Sequence, residues 1–424
     1  MKKFRSIELA ENLKEVIDSR EFLEKARKRP VDFTRDRELP FPEMIYFMMN
    51  LIRSTTGVAL DRFLNLVLKI RGRKAHMTQQ SFSEAREKLR WEGCRYLLDK
   101  LVEMFYQSDY KKWHGYRILA IDGSKMQLPE DAKLKSLYGT AGRGDTSVTA
   151  LGSVLYDTLN EIILDANLAP ISTSERKLAS LHIQRLRGMP SFSQELVLFD
   201  RGYASFQLIQ NLLEGGKPVN FLFRLRSKFN LEIDVMPLGI HNFTLSRGGK
   251  SYRLRVVKFK LDSTETETLL TNLPDDLSLE DFKKLYFRRW PIEGNYNILK
   301  NKLCIENFSS RTQNAILQDF FLTCLASNLV TVLDRDAQPI ADAKRKGKRN
   351  KYEYAINRNQ SIGKIKDRLV KIALMKDPKK RIQAMIHLII LLSGSVVPRR
   401  PGRNVPRTLN PRKANYCFNQ KMNC

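Results

Sequence analysis

The chain has 424 residues, of which 42% are hydrophobic, and its formal net charge is +28. This apolar content excludes a wholly disordered chain, and the length predicts about two to four domains. Five dispersed cysteines and five histidines show no zinc-ligand spacing, which fits a reducing cytoplasm. The longest apolar run, Ile386–Leu392, is far shorter than the roughly 20 residues that cross a bilayer, so we expect a cytoplasmic protein without a membrane partner.

Residues 1–110 are predicted to be helical. Leu9, Leu13 and Val16 recur at helical spacing, and Thr78–Ser81 offers a helix start before Phe82–Leu101. A short helix, a basic turn at residues 71–74 and a second helix match a helix-turn-helix that enters a DNA groove. A plain helical packing domain is an equally good interpretation.

From Tyr116 the pattern predicts a mixed α/β region. Short apolar runs alternate with two amphipathic helices, and two of the runs end in an aspartate close to a glycine, at Asp122-Gly123 and Asp200-Arg201-Gly202. Ligands of open α/β sheets usually bind outside such strand ends. The predicted strands are Tyr116–Ile121, Val148–Tyr156, Glu161–Leu168, Leu196–Phe199 and Phe221–Leu225, and the predicted helices are Ser172–Arg187 and Ala204–Leu213.

Residues 229–273 contain further β-like runs, Tyr252–Lys260 and Thr268–Leu273, with a turn at Gly248-Gly249. A helix is then predicted from near Ser278 to about Leu303. Pro291 cannot donate a backbone hydrogen bond, so a kink or restart is expected there, with Pro291 near the first position of the second half.

The C-terminal region, 336–424, is basic. Residues 341–424 hold 22 Lys/Arg against 4 Asp/Glu. Such an excess favours a polyanion partner, because each neutralised phosphate releases condensed counterions. A merely solvated charge run is the alternative.

Four polar residues are spaced for one face of the helix that begins near Ser278. At about 100° per residue, Tyr286, Arg289, Glu293 and Lys300 share a narrow stripe, within each half of the helix and approximately across the break at Pro291. One carboxylate, two cations and a phenol suit neither an apolar core nor an ordinary solvated face. The stripe indicates a site that holds a phosphate beside a metal ion.

The acids Asp122, Asp200 and Glu293 are predicted to form a carboxylate cluster. Mg²⁺ prefers oxygen ligands, and two such ions roughly 3.5–4 Å apart can activate an attacking oxygen and stabilise a leaving one. Asp122 would bridge both ions, and Asp200 and Glu293 would each hold one, with Mn²⁺ able to substitute. Taken singly, each acid is better explained as a turn, a strand-end cap or a solvated helix residue.

The segment Tyr286–Lys300 resembles the Tyr-x2-Arg-x3-Glu-x6-Lys signature of DDE transposases of the insertion-sequence-four family. Ala120–Ser124 resembles the first acidic strand of that family, and Leu198–Tyr203 the second. Phe223–Leu225 and Leu270–Leu273 resemble the strands that bracket its β insert, and residues 80–89 its segment before the core. The likeness covers roughly residues 60–330.

The resemblance implies an α/β fold with a ribonuclease H-like mixed-sheet core. Its parts would be a helical DNA-binding domain (1–110), the first part of the core (111–228), a β-rich insert (229–273), the second part with the glutamate helix (274–335) and a basic helical C-terminal region with a tail (336–424). It also implies that Tyr286, Arg289 and Lys300 contact terminal DNA phosphates. Arg201 and Arg143 are weaker candidates for DNA contact, since salt bridges to neighbouring acids are an alternative.

The predicted function is a bacterial transposase that binds terminal inverted repeats and catalyses Mg²⁺-dependent DNA cleavage and strand transfer, with a homodimer pairing the two ends. A non-catalytic DNA-binding relic or regulator and a nuclease that cuts without joining are the alternatives. The insert has no tryptophan to hold a flipped base; Tyr252, Phe243 and Phe259 are the substitutes or, alternatively, insert core.

Overall fold

The computed structural model describes residues 4–35, 38–50, 55–72, 74, 76–142, 144, 146–261, 265–366 and 368–400. Two compact units divide the chain. We call them the helical unit (Met1–Leu101, Gln127–Ser136 and Ile298–Cys424) and the sheet unit (Val102–Met126 and Leu137–Asn297).

The described strands are, in chain order, β1 Arg117–Gln127, β2 Thr140–Ala141, β3 Ser147–Asp157, β4 Ile162–Pro170, β5 Glu195–Phe199, β6 Asn220–Arg224, β7 Gly239–Arg247, β8 Lys250–Lys260, β9 Thr266–Thr271, β10 Glu353–Ile356 and β11 Val396–Arg399. The described helices are α1 Arg5–Asp18, α2 Arg20–Ala26, α3 Phe41–Met49, α4 Thr56–Arg71, α5 Gln79–Glu87, α6 Trp91–Tyr106, α7 Ala132–Tyr138, α8 Glu175–Arg187, α9 Phe206–Glu214, α10 Leu231–Val235, α11 Leu279–Phe287, α12 Pro291–Asn297, a π-helical turn Ile298–Lys302, α13 Gln313–Ala343, α14 Arg358–Ile365, α15 Arg368–Leu374 and α16 Pro378–Ser393.

The sheet unit is built on a mixed sheet of nine strands. Its path runs β2-β3-β1-β5-β6-β9-β8-β7, and β4 pairs antiparallel with β3. Strands β1, β5 and β6 are parallel, whereas β6, β9, β8 and β7 pair antiparallel. The central order β4-β3-β1-β5-β6, with one parallel and one antiparallel half, is the ribonuclease H-like arrangement and confirms the predicted α/β class.

Burial of this sheet explains why the sequences of its strands are apolar runs. Strand β5 is buried at every position, because it lies between two parallel neighbours. Helix α11 supplies Phe282, Leu285 and Tyr286 to one core cluster, which also contains residues of β1, β5, β6, β8 and β9. Helix α8 packs on β3 and β4 and against α9.

The strands predicted for residues 229–273 do not form a separate sheet. Strands β8 and β9 pair with each other, and β9 continues the central sheet by pairing with β6. Phe243 and Phe259 are buried, which matches their interpretation as core. The Tyr252 hydroxyl donates a hydrogen bond to Glu214.

The structure has two helices where the sequence predicted one helix starting near Ser278. Ser278 and Asp281 form a capping box at the start of α11, which confirms the predicted N-terminus. Helix α11 ends at Phe287 and α12 begins at Pro291, where the predicted restart occurs. Tyr286 and Glu293 therefore lie on different helices, and the approximate continuation of one polar stripe across the break stays a prediction.

The helical unit centres on the 31-residue helix α13, against which α1, α3, α14 and α16 pack. Helix α5 begins after Thr78, as predicted, but the predicted run to Leu101 is divided into α5 and α6. Buried Arg86 joins α5 to α13 through Gln318 and Asp319. The antiparallel two-stranded sheet of β10 and β11 was not predicted.

Helix α13 is also long and apolar enough to cross a membrane by length and composition. Most of its apolar stretch, 89%, is buried inside the protein, as in a core helix. Residues 401–424, which belong to the predicted basic tail, lie outside the described residues.

Candidate active site

Asp122 lies in β1, and Asp200 directly follows the end of the neighbouring parallel strand β5. Strand β1 pairs with β5 as far as Ala120 opposite Leu198, two residues before each aspartate. The two carboxyl groups are close enough for the charge of Asp200 to raise the pKa of Asp122. The structure thus brings two of the three predicted acids together. The sequence predicted that the first strand ends at Asp122. Strand β1 continues to Gln127, however, so Asp122 lies within the strand.

The backbone at Asp122 is held from two sides. Its carbonyl oxygen accepts hydrogen bonds from Ser153 Oγ at 3.1 Å and from the Tyr296 hydroxyl at 2.7 Å. Its carboxylate accepts one from the backbone N–H of Gly123 at 2.9 Å. Desolvation raises the pKa of Asp122 to about 6, against the opposing effects of that N–H and of Arg289, and nearby carboxylates add to the shift.

A buried polar chain supports Ser153. His182 Nε2 is 3.1 Å from Ser153 Oγ, and His182 Nδ1 is 2.7 Å from Asp165 Oδ2. These residue types also occur in nucleophilic triads. Here all three side chains are buried, and the serine hydroxyl donates to the Asp122 carbonyl. These hydrogen-bonded side chains therefore position β1 and do not present a nucleophile.

Asp200 keeps one carboxylate oxygen without a donor. Its buried Oδ1 has no hydrogen-bond partner, and Arg224 Nη1 is 3.8 Å away. Arg224 is instead fixed by buried Glu267, to which its Nε donates at 2.7 Å. A buried carboxylate oxygen that lacks a donor is costly unless a cation or another donor satisfies it.

Glu293 forms an ion pair with Arg289, whose charge also acts on Asp122. It lies in the first turn of α12, and Arg289 Nη2 donates to its Oε1 at 2.9 Å. The Arg289 guanidinium is mostly buried, lies 5.1 Å from the Trp290 ring centre, and opposes the raised pKa of Asp122. Arg289 is thus a shared counter-ion of Glu293 and Asp122.

The donor set of Asp122 and Asp200 fits a hard divalent cation in part. Both residues offer only oxygen, which suits Mg²⁺ or Mn²⁺. Asp200 Oδ1, which has the Arg224 ion pair but no hydrogen bond, supplies an acceptor for such a cation. Within the described part of the chain, no group of three His, Cys, Asp or Glu side chains is arranged to hold a metal ion as it stands. Glu293 would have to exchange its contact with Arg289 to complete such a set.

Tyr286 lies at the edge of the core beside this site. It is 8% exposed, packs edge-on against Phe259 and Phe287, and has the Arg224 guanidinium 5.4 Å from its ring centre. Burial, followed by the charge of Glu267, raises its pKa. The phenol is therefore retained in its neutral form, as a hydrogen-bond donor.

The region that contains these residues matches a known protein family. The sequence matches the Transposase DDE domain family over residues 113–329, which is 217 of the 424 residues. The chain belongs to the DDE transposase family. The matched region contains Asp122, Asp200 and Glu293 and all nine strands of the mixed sheet.

One protein is similar to this chain in sequence, and one solved structure is similar in fold. A protein assigned as a transposase for insertion sequence element IS4SA, from Synechocystis sp. (strain ATCC 27184 / PCC 6803 / Kazusa), is 30% identical over 144 residues. That match covers 32% of this chain and 40% of the relative, so the chain spans less than half of that relative's length. The cryo-EM structure of the piggyBac transposase synaptic complex with hairpin DNA has the same fold, with a TM-score of 0.51 and 12% identity over 93% of this chain and 86% of that chain.

Lys300 lies in the helical unit, in the π-helical turn that follows α12. Its Nζ is 3.5 Å from Glu306 Oε1, an oxygen that also accepts a hydrogen bond from the backbone N–H of Gln127. Contact of Lys300 with a DNA phosphate stays a prediction.

Arg201 is bound to an acid, as the alternative interpretation proposed. Its Nη2 donates to Glu267 Oε1 at 2.7 Å, and its side chain remains 44% exposed. An exposed guanidinium with one partner retains donors for a phosphate. Arg143 lies outside the described residues.

Sequence reasoning missed Glu175, the first residue of α8. Its carboxylate lies beside both glycines of the acidic motifs: a Cβ on Gly123 would be 2.8 Å from its Oε1, and a Cβ on Gly202 3.9 Å from its Oε2. Burial and then the charge of Asp200 raise its pKa. The available signal was the position of Glu175 at the start of a helix that follows two β-strands. Such a helix start lies at the same edge of the sheet as the strand ends.

Proposed function

We propose that this chain is the transposase of a bacterial insertion sequence, which cuts DNA at the ends of its element and joins the freed 3′ ends to target DNA. The observation that carries the proposal is the parallel pairing of β1, which contains Asp122, with β5, which Asp200 directly follows, within a DDE transposase domain. We also propose that it acts in the bacterial cytoplasm.

Asp122, Asp200 and Glu293 are the proposed ligands of two Mg²⁺ ions. Such ions supply positive charge to the attacking and leaving oxygens of an in-line phosphoryl displacement. The protein's own contribution is positional. Ser153 and Tyr296 fix the Asp122 backbone, and Arg289 holds the Glu293 carboxylate. Preorganised charge of this kind lowers the barrier because it needs no rearrangement during the reaction.

Double-stranded DNA is the proposed partner, at both transposon ends and target. The net charge of +28 favours it. The similar piggyBac structure is a synaptic complex with hairpin DNA, which supports the same kind of partner here. Two copies of the chain would hold the two ends together. Tyr286, Arg289, Lys300 and Arg201 are the proposed phosphate contacts.

The test is cleavage of duplex DNA that contains the element's ends. The full chain with Mg²⁺ or Mn²⁺ should release a 3′ end at the transposon boundary and then yield strand-transfer products, and EDTA should abolish both. Denaturing gels separate nicked, hairpin and joined strands. Cutting without joined products would favour the nuclease, and salt-sensitive DNA binding without any cutting would favour the non-catalytic regulator.

The pH dependence of metal use follows from Asp122. Its pKa of about 6 lies above the value of roughly 3.9 expected in the unfolded chain, so folding favours its protonated form. This contribution to metal-free stability is complete below pH ~4 and is lost as the pH rises through about 6. A bound cation needs the ionised form, so at subsaturating Mg²⁺ cleavage should fall about tenfold between pH 7 and pH 5. Saturating Mg²⁺ should reduce that loss, and a loss that does not depend on Mg²⁺ concentration would contradict the prediction.

A further inference from the structure

We propose that Glu175 is a fourth carboxylate of the active site and a direct ligand of the divalent cation. The proposal rests on the proposed function and adds a residue from α8, an element outside the predicted Asp–Asp–Glu set.

The first observation is the close approach of Glu175 to both acidic motifs. Its two carboxylate oxygens lie next to two glycines, Oε1 beside Gly123 and Oε2 beside Gly202. Gly123 follows Asp122 directly, and Gly202 is two residues after Asp200. At Gly123 a Cβ would lie 2.8 Å from Oε1 and 3.2 Å from Cγ, so a side chain there would force Glu175 to move. The glycine therefore leaves the space that the Glu175 side chain fills.

The second observation is a buried phenol that faces the same acids. Tyr203 is 1% exposed, and its hydroxyl has no hydrogen-bond partner. Its pKa is raised first by burial and then by the charges of Glu175, Asp122 and Asp200. Tyr203 is three residues after Asp200, whose buried Oδ1 also has no hydrogen-bond partner and has only the Arg224 guanidinium at 3.8 Å. A hydrated cation with its bound oxygens would supply a partner to the phenol and to this oxygen.

A structural role at the start of α8 does not account for Glu175. Ser174 already caps the helix, with its hydroxyl accepting from the backbone N–H of Lys177 at 3.2 Å. Among the described residues, Glu175 has no hydrogen bond and no ion pair, although Arg176 and Lys177 follow it in the chain. An acid in the first helical turn does favour the helix dipole. That role alone predicts a change in stability and none in metal affinity.

The direct test is Mn²⁺ binding to the full chain, measured by calorimetry without DNA and set beside end cleavage. Glu175→Gln keeps the shape and removes the charge, and should weaken Mn²⁺ binding by about tenfold or more. Asp122→Asn should weaken it at least as much. Glu280→Gln, which neutralises an exposed acid in the first turn of α11, should bind like the parent.

A double-mutant cycle tests the contact itself. Gly123→Ala should push the Glu175 carboxylate away and weaken Mn²⁺ binding, but the same change in the Glu175→Gln background should have little further effect. Gly363→Ala, where a Cβ meets nothing within 4 Å, is the matched glycine control. Full additivity of Gly123→Ala and Glu175→Gln would overturn the role of this contact.

The outcomes separate this proposal from the proposed function. If the parent cleaves DNA and Glu175→Gln binds Mn²⁺ and cleaves equally well, Glu175 is not a ligand and the transposase proposal stands. If the parent neither binds Mn²⁺ nor cleaves DNA, the proposed function is overturned and this proposal falls with it.

Discussion

Asp122→Asn and Asp200→Asn should each lower end cleavage by about 100-fold or more, while the folded protein without metal becomes no less stable. The loss of activity follows because an amide cannot give a cation the charge of a carboxylate. The stability should be kept because desolvation already disfavours the Asp122 charge and the charge of Asp200 adds to that effect. From its pKa of about 6, removing that charge should raise the free energy of unfolding at pH 7.5 by the order of 1–3 kcal/mol.

Urea unfolding in EDTA, with and without added Mn²⁺, measures both effects. The parent should gain stability from Mn²⁺ by mass action, and the two variants should gain little. Asp276→Asn, which neutralises an exposed carboxylate, is the matched control and should behave like the parent. Variants that cleave as well as the parent would remove the catalytic assignment of the aspartates. Variants that lose cleavage only because they unfold would give that catalytic assignment no support.

The sequence was sufficient for the strands of the central sheet, because buried parallel strands are continuous apolar runs. The runs predicted at Leu196–Phe199 and Phe221–Leu225 became β5 and β6 with changes of one residue at the ends. Pro291 marked the restart of a helix because its missing N–H costs nothing at the first helical position. The two-stranded sheet of β10 and β11 escaped prediction because its strands have four residues each and are separated by 39 residues.

The site was predictable where the chain itself fixes the geometry. Asp122 and Asp200 follow apolar runs that pair in parallel, so the register decides their meeting. Glu175 carries no comparable local pattern, and only the packing of α8 on β3 and β4 brings it beside Gly123. The ion pair of Arg289 with Glu293 agrees with i,i+4 spacing, but its burial depends on tertiary packing. The catalytic roles of all these residues stay predictions.

The second large effect concerns a buried ion pair at the other end of the two acidic strands. Arg117 and Glu195 begin β1 and β5, lie opposite each other in the register, and are almost completely buried. Arg117 Nε donates to Glu195 Oε2 at 2.7 Å, and the guanidinium lies 4.3 Å from the Tyr106 ring centre. Backbone N–H of Ser193 donates to Glu195 Oε1 at 2.9 Å. The pair therefore fixes how β1 starts against β5.

Arg117→Met should lower the free energy of unfolding by about 3–5 kcal/mol, because it leaves the Glu195 carboxylate buried without its cation. The double change Arg117→Met with Glu195→Leu should recover most of that loss, since it removes both charges and keeps the volume. Urea unfolding followed by circular dichroism measures the two effects. If the pair matters only for stability, the double variant should cleave DNA like the parent. If it also sets the register of Asp122 against Asp200, the double variant will be stable and inactive, because a shift of one residue along β1 would turn the Asp122 side chain to the opposite face of the sheet.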